Sequence, residues 1–287
     1  MTAPASPRAV APASGARRHP VADPGVRFRD LLAAEWIKFW SLRSTRWVLG
    51  LGLLLVLGGT LQKSLDAYNS WPTFRPMEKA HFDPLTTAFS GVTATLIMIG
   101  AGVMGALTIV GEYSTGLIRT TLTAVPARGR VVAAKATVMA AVMLVLGAAL
   151  SLSTFAVSQA ILSGRGVALS PGASGVPHVL VANGLLAPLS ALVGMGVGAL
   201  LRHTAGTVAT CCAVLVIAPG FFKPTVHQWA NDVYAWFPFY DWVNCLSQRH
   251  PRSAPALPTT TGSWIVFAVW PLVSAALAAI VVRRRDV

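Results

Sequence analysis

Apolar and charged positions along this chain fall into blocks rather than alternating, and six blocks run long without Asp, Glu, Lys or Arg. A helix crosses the hydrocarbon core of a membrane in roughly 20 apolar residues, so each block predicts a span. The first, Trp47 to Gln62, is short at 16 residues, but Arg46 and Lys63 at its ends can carry their charges outward on long stems. The second runs from Pro84 to Gly111 and the third from Ala136 to Gly164. The fourth occupies the later part of Gly166 to Leu201, beginning near His178 after a loop rich in Gly, Ser and Pro; the fifth is His203 to Phe222. The sixth lies within Ser253 to Val282 and starts near Gly262, because Pro255 and Pro258 make the preceding residues poor helix. The spans are set at about 47–62, 86–110, 136–158, 179–201, 204–222 and 262–282, and the fold class is an all-α membrane protein with six transmembrane helices.

Ahead of the first span, Phe28 to Thr45 reads as an amphipathic helix. Phe28, Leu31, Leu32, Trp36, Phe39 and Leu42 recur at intervals of three and four, with Asp30, Lys38 and Ser41 on the other side. Such a helix suits the membrane interface, lying flat before the chain turns inward; the alternative is a plain extension of the first span. Residues 1–26, rich in Ala and Pro, read as a disordered cytoplasmic tail, leaving 27–287 as the transmembrane domain. Arg17-Arg18 is followed by no apolar stretch until Trp47, so it is not read as an export signal. From Val226 to Leu246 aromatic residues crowd together, Trp229, Trp236, Phe239 and Trp242 among them, either as a short re-entrant element or as a surface loop. Small residues mark candidate packing faces: Ala101 and Gly105 in the second span, and Gly194, Gly196 and Gly198 in the fourth.

Composition agrees with the pattern, since 54% of the 287 residues are hydrophobic and 11% charged, where a soluble domain carries about 25% charged. The net charge of +13 would suggest nucleic acid on a soluble protein, so the placement of the cations decides. With a cytoplasmic amino terminus, the inner segments 1–46, 111–135, 201–206 and 283–287 hold 16 Lys and Arg against 7 outside, while the acidic residues divide five and five. That is the positive-inside pattern, with both termini cytoplasmic and Arg283, Arg284 and Arg285 placed after the last span to meet anionic membrane lipid. Nucleic acid is excluded as a partner on this reading. Cys211, Cys212 and Cys245 form no disulfide framework and read as small buried hydrophobes.

Chemistry of its own is hard to find in the chain. No span carries Asp, Glu, Lys or Arg in its interior, which argues against a carrier running on an ion gradient. No Gly-Lys-Ser or Gly-Lys-Thr and no His-Glu-x-x-His occurs, so neither Walker-type ATP hydrolysis nor metalloprotease chemistry is expected. Gly172-Ala173-Ser174-Gly175 with nearby His178 is similar to the nucleophile motif of rhomboid proteases. Those enzymes take their histidine from the last helix, and Gly262 to Val282 contains none, so Ser174 reads as a loop serine. No enzyme activity, metal or cofactor is called for.

After the second span the chain reads Gly111-Glu112-Tyr113-Ser114-Thr115-Gly116-Leu117-Ile118-Arg119-Thr120-Thr121-Leu122, then Pro126, Arg128 and Lys135. This segment resembles the first cytoplasmic loop of bacterial ABC-2 type transporter permeases. Ala34-Glu35-Trp36-Ile37-Lys38 with Ser41, Arg43 and Ser44 resembles that family's amino-terminal interfacial helix, and the likeness covers roughly residues 28 to 285. Leu117 departs from the Thr that many relatives carry there. The resemblance implies a permease subunit in the bacterial inner membrane, exporting a small or lipid-like molecule. It also implies a separate cytoplasmic ABC ATPase and a second permease copy or homologue as partners. Glu112, Tyr113, Gly116 and Arg119 would then belong to the coupling helix, Glu112 pairing with a cation of the interfacial helix such as Arg43 or Arg46, and Glu35, Trp36, Lys38 and Arg43 to the interfacial helix. A non-transporting membrane scaffold or regulator of the same fold is the alternative.

Overall fold

The computed structural model describes residues 27–116, 128–222, 228–246 and 260–284; the tail expected over 1–26, Arg119 and Arg285 lie outside them. Every regular element among these residues is a helix. Helix α1 (Phe28–Ser41) starts where Arg27 N–H donates to the Asp30 carboxylate at 3.2 Å. Leu42 then turns extended (φ −77°, ψ 115°) before α2 (Arg43–Ser70), so α1 is a separate helix and not the start of the first span. Arg43, assigned above to the interfacial helix, is instead the first residue of α2. The first span is also longer than 47–62, because Lys63 and Asp66 are solvated charges near the end of the helix and do not interrupt it.

A turn at Trp71–Thr73, α3 (Pro76–His81) and α4 (Pro84–Ala88) follow, and then α5 (Gly91–Ser114). The second span therefore begins at Gly91, later than the uninterrupted apolar block suggested. The reason is local capping: Asp83 accepts from Leu85 N–H at 2.9 Å to start α4, Phe89 leaves the helix, and Ser90 Oγ accepts from Thr93 N–H at 3.2 Å to start α5. Next come α6 (Arg128–Ser163), α7 (Val176–Leu201) and α8 (Thr204–Phe221), the last widened by a π-turn at Ala213–Ile217. The chain closes with α9 (Gln228–Tyr234), α10 (Pro238–Leu246) and α11 (Thr260–Arg284). Six helices, α2, α5, α6, α7, α8 and α11, are long and apolar enough to cross a membrane, in the expected order. At 36 residues α6 is about 54 Å long, more than a hydrocarbon core of about 30 Å, so its first turns carry Arg128, Arg130 and Lys135 beyond the apolar zone.

Helix α7 is the hub: 72% of its span is buried, against 17% for α2, and it packs on α5, α6 and α11. In lipid no hydrophobic force draws one apolar helix to another, so close backbone approach through small residues does the work. A Cβ at Gly105 would overlap the Ala191 carbonyl, one at Gly194 the Gly102 carbonyl, and one at Gly147 the Gly184 carbonyl. Gly198 sits against Ala106, and Gly196 meets Ser274 of α11. Ala101 is buried in the core as well and lines a cleft beside α2.

At the end of the molecule opposite α1, Arg165 Nε donates to the Tyr68 carbonyl at 2.9 Å and its guanidinium lies 4.0 Å from the Tyr68 ring centre, tying α2 to the α6–α7 loop. The aromatic segment is built into the bundle here: α10 packs on α11 and α7, Trp242 is buried, and Trp270 Nε1 donates to the Trp236 carbonyl at 2.7 Å. Asp241 is fully buried, and among the described residues neither of its oxygens has a well-formed hydrogen bond, although the Ser263 hydroxyl stands beside it. Burial pushes its carboxyl up from 3.8 to about 7, with Ser263 opposing. A carboxyl whose folded value is raised binds its proton more tightly in the native state, so its effect lowers stability as pH rises from about 3.8 to about 7. Asp241→Asn should therefore raise the melting temperature above that window, by about 2–4 °C per kcal/mol recovered, and leave it unchanged below. Fluorimetric melting of the purified protein at both pH values checks this.

Candidate functional site

On the α1 side, Glu35 and Lys38 of α1, Glu112 at the end of α5 and Lys135 of α6 come together. Lys135 Nζ donates to Glu35 Oε2 at 2.5 Å and to Glu112 Oε1 at 2.9 Å, while Lys38 Nζ donates to Glu35 Oε1 at 2.9 Å and to Glu112 Oε1 at 3.2 Å. Two cations and two carboxylates thus alternate around a closed ring of neutral net charge. The Glu35 and Lys135 side chains are nearly buried, at 7% and 9% exposure, and Lys38 is the exposed edge of the ring at 44%. Burial alone would raise the Glu35 carboxyl. The charge and hydrogen bond of Lys135, with those of Lys38, outweigh it and hold the carboxyl below its ordinary 4.5. For Lys38, burial pulls the amine down, and the hydrogen bond it donates to Glu35 with the charge of Glu112 carries it above 10.5.

The local sequence explains the meeting. Leu31, Glu35 and Phe39 fall on one face of α1, at i and i+4, and all three are buried against the bundle. The face expected from apolar spacing alone is therefore rotated: Trp36 (49% exposed) and Ile37 (66%) look outward, and Glu35 looks in. Glu112 does meet a cation of α1, but it is Lys38 rather than Arg43 or Arg46, both of which are exposed, and Lys135 of α6 is its second partner. Linkage follows from these shifts. Glu35 contributes stability that is full above 4.5 and is lost as pH falls through its lower folded value, and the Lys38 contribution is lost only as pH rises past 10.5. The protection of α1 amides against hydrogen exchange, taken relative to the unfolded-chain rate at each pH, should accordingly hold across neutral pH and fall on acidification below about 4.5.

Beyond Glu112, Tyr113 takes the guanidinium of Arg202 over its ring at 4.5 Å. Arg202 ends α7 in the left-handed conformation, φ 55°, its N–H closing on Gly198. Among the described residues no acceptor meets its Nε or Nη2. Gly116 ends α5 at φ 71°, a conformation that glycine adopts at little cost and that turns the chain out of the helix. Arg283 of α11 lies over Gly129 at the start of α6. Glu35, Lys38, Glu112, Tyr113 and Gly116 are therefore all placed at one end of the bundle. Arg119 is outside the described residues, Trp36 turns away from the cluster, and Arg43 stands on α2. Lys135 and Arg202 are the members that sequence reasoning missed as site residues. Ser174, by contrast, is exposed in the turn before α7.

The model of the family described as ABC-2 family transporter protein matches residues 34–287. The chain belongs to this family. It is a multi-pass membrane permease of the ABC transporter type, and the charge ring sits inside the matched region, from its second residue, Glu35, to Lys135. Comparison with individual curated proteins gives no match. Among the described residues of the permease no group of three or more His, Cys, Asp or Glu is disposed to hold a metal ion. Members of the family generally work with a cytoplasmic ABC ATPase.

Proposed function

We propose that this permease is the membrane subunit of an ATP-driven exporter in the bacterial inner membrane, with α1 and both termini cytoplasmic and a separate ABC ATPase docking at the Glu112–Arg119 segment. The observation that carries the reading is the charge ring, which locks α1, α5 and α6 to one another at the end of the bundle where that segment leaves α5. A partner pushing on a segment so anchored moves packed spans as rigid bodies rather than bending one loop. Arg202, held on Tyr113, links the same segment to the α7–α8 connection. Exposed apolar side chains on the outward side of α1, Trp36 and Ile37 among them, suit it to lie in the membrane interface.

Affinity purification of the tagged permease from its own membranes in mild detergent tests this. An ATPase with a phosphate-binding loop is expected in stoichiometric amount. Its reproducible absence from intact permease would turn the reading to a scaffold or regulator. Arg202→Ala removes the cation from the Tyr113 ring, a contact of about 0.5–2 kcal/mol, and should lower stimulation of the ATPase by up to about tenfold with the elution profile unchanged.

A further inference from the structure

Three clefts lie in series along one seam of the permease, between α2 and α5. The inner one, about 320 Å³, adjoins the charge ring, with Lys38, Glu112 and Lys135 on its wall. The middle one, about 260 Å³, follows α2 from Val48 to Val56 and α5 from Leu96 to Met104, backed by Met143 and Leu150 of α6, and every residue lining it is apolar. The outer one, about 1020 Å³, shares Leu96 with the middle cleft and is lined by Gln62, Lys63, Asp66, Ser70 and a run of hydroxyls that includes Thr86 and Ser90. Along α2 the wall residues Thr45, Val48, Gly52, Leu55, Gly59 and Lys63 form a single stripe of three- and four-residue steps. With only 17% of the α2 span buried, the seam lies at the lipid-facing edge of the bundle.

The order polar, apolar, polar selects the occupant. Sites for drug-sized solutes run from about 300 to 1,000 Å³ and carry a few placed polar groups; the middle cleft falls below that range and has none. A polar solute would lose its hydrogen bonds with water there, whereas a hydrocarbon chain exchanges one apolar surrounding for another. Gly52 and Gly100 face open space on opposite walls and leave the slot wide enough for a chain. At the passage to the outer cleft, a Cβ on Gly59 would stand 3.3 Å from Thr93 Cγ2, so this is the tight point of the seam.

We propose that the α2–α5 seam binds a chain-bearing amphiphile drawn from the membrane, its hydrocarbon tail in the middle cleft and its polar head in the outer one, and that this is the class of molecule the permease moves. The movement rests on the exporter function proposed above; the binding does not.

The test uses the purified permease with its co-purifying partners in phosphatidylcholine vesicles containing a phospholipid with a photoreactive diazirine in its acyl chain. Adducts should concentrate on the facing walls of α2 and α5. Filling the slot with Gly52→Leu and Gly100→Leu together should lower them about tenfold, while adducts on the exposed face of α11 stay constant as an internal reference. Both glycines face open space, so the variant has room to fold. Adducts spread evenly over exposed α8 and α11, or unaffected by the filled slot, would overturn the proposal, and so would covalent links between two copies through α2, which would assign the seam to a second permease. Gly59→Trp separates the two halves: middle-cleft adducts should persist while ATP-driven lipid transfer stops. Adducts without any ATP hydrolysis in the unaltered protein would leave the binding standing and remove the exporter reading.

Discussion

Replacing Gly105 with leucine will leave little folded permease. A side chain at this position meets the backbone of Ala191 rather than a flexible neighbour, so relief requires α5 and α7 to separate. Overpacking a tight core costs about 1–3 kcal/mol when side chains can shift, and more when backbone must move. The expected result is loss of the monodisperse peak in detergent size-exclusion chromatography. Gly194→Leu should do the same from the other helix, because its Cβ would strike Gly102. Gly50→Leu on α2 is the control: nothing lies within 4 Å of a Cβ there, and its profile should be unchanged. Equal behaviour of the three variants would contradict α7 as the hub of the bundle.

The second large effect comes from the charge ring. Lys135→Met leaves the nearly buried Glu35 carboxylate without its closest cation, and removing one partner of a buried pair costs about 3–5 kcal/mol. Helix α1 should undock, seen as fast hydrogen exchange over Phe28–Ser41 and as loss of coupling to the ATPase. Adding Glu35→Gln to Lys135→Met removes the orphaned charge and keeps the Lys38–Glu112 pair at 3.2 Å, so the double variant should regain most of the protection. Failure of the double variant to improve on the single one would mean that the ring does not hold α1.

Much of the fold was legible because long apolar blocks have one stable solution in a membrane, a helix with its backbone satisfied internally. The six spans follow from that and from no finer feature. What escaped were cues shorter than a turn or longer than a loop. Ser90 caps α5 in the middle of an uninterrupted apolar block, so the start of the second span could not be told from hydropathy. Lys63 and Asp66 ended the first span on paper, yet helical geometry continues as long as such charges have solvent. Glu112 could be named because the segment after the second span resembles the first cytoplasmic loop of the family, but its partners lie 74 and 23 residues away in sequence. The resemblance pointed to a cation of the amino-terminal helix without saying which, and Arg43 and Arg46 were named where Lys38 fills the place. Glu35 was placed in the right helix, but which face of α1 turned inward depended on Lys135, 100 residues further on. Arg202 looked like one more cation of the positive-inside pattern; only the fold sets it over Tyr113.

The most direct measurement of whether drive enters through the end of α5 is photocrosslinking in the purified native complex. A photoreactive residue replaces Thr115, which is exposed one position before Gly116, and in a second sample replaces Trp229, exposed on the aromatic segment before the last span. The ATPase should be captured from position 115 and not from position 229. Capture from 229, or from neither position while the ATPase remains in the complex, would contradict the coupling role of the Glu112–Gly116 segment.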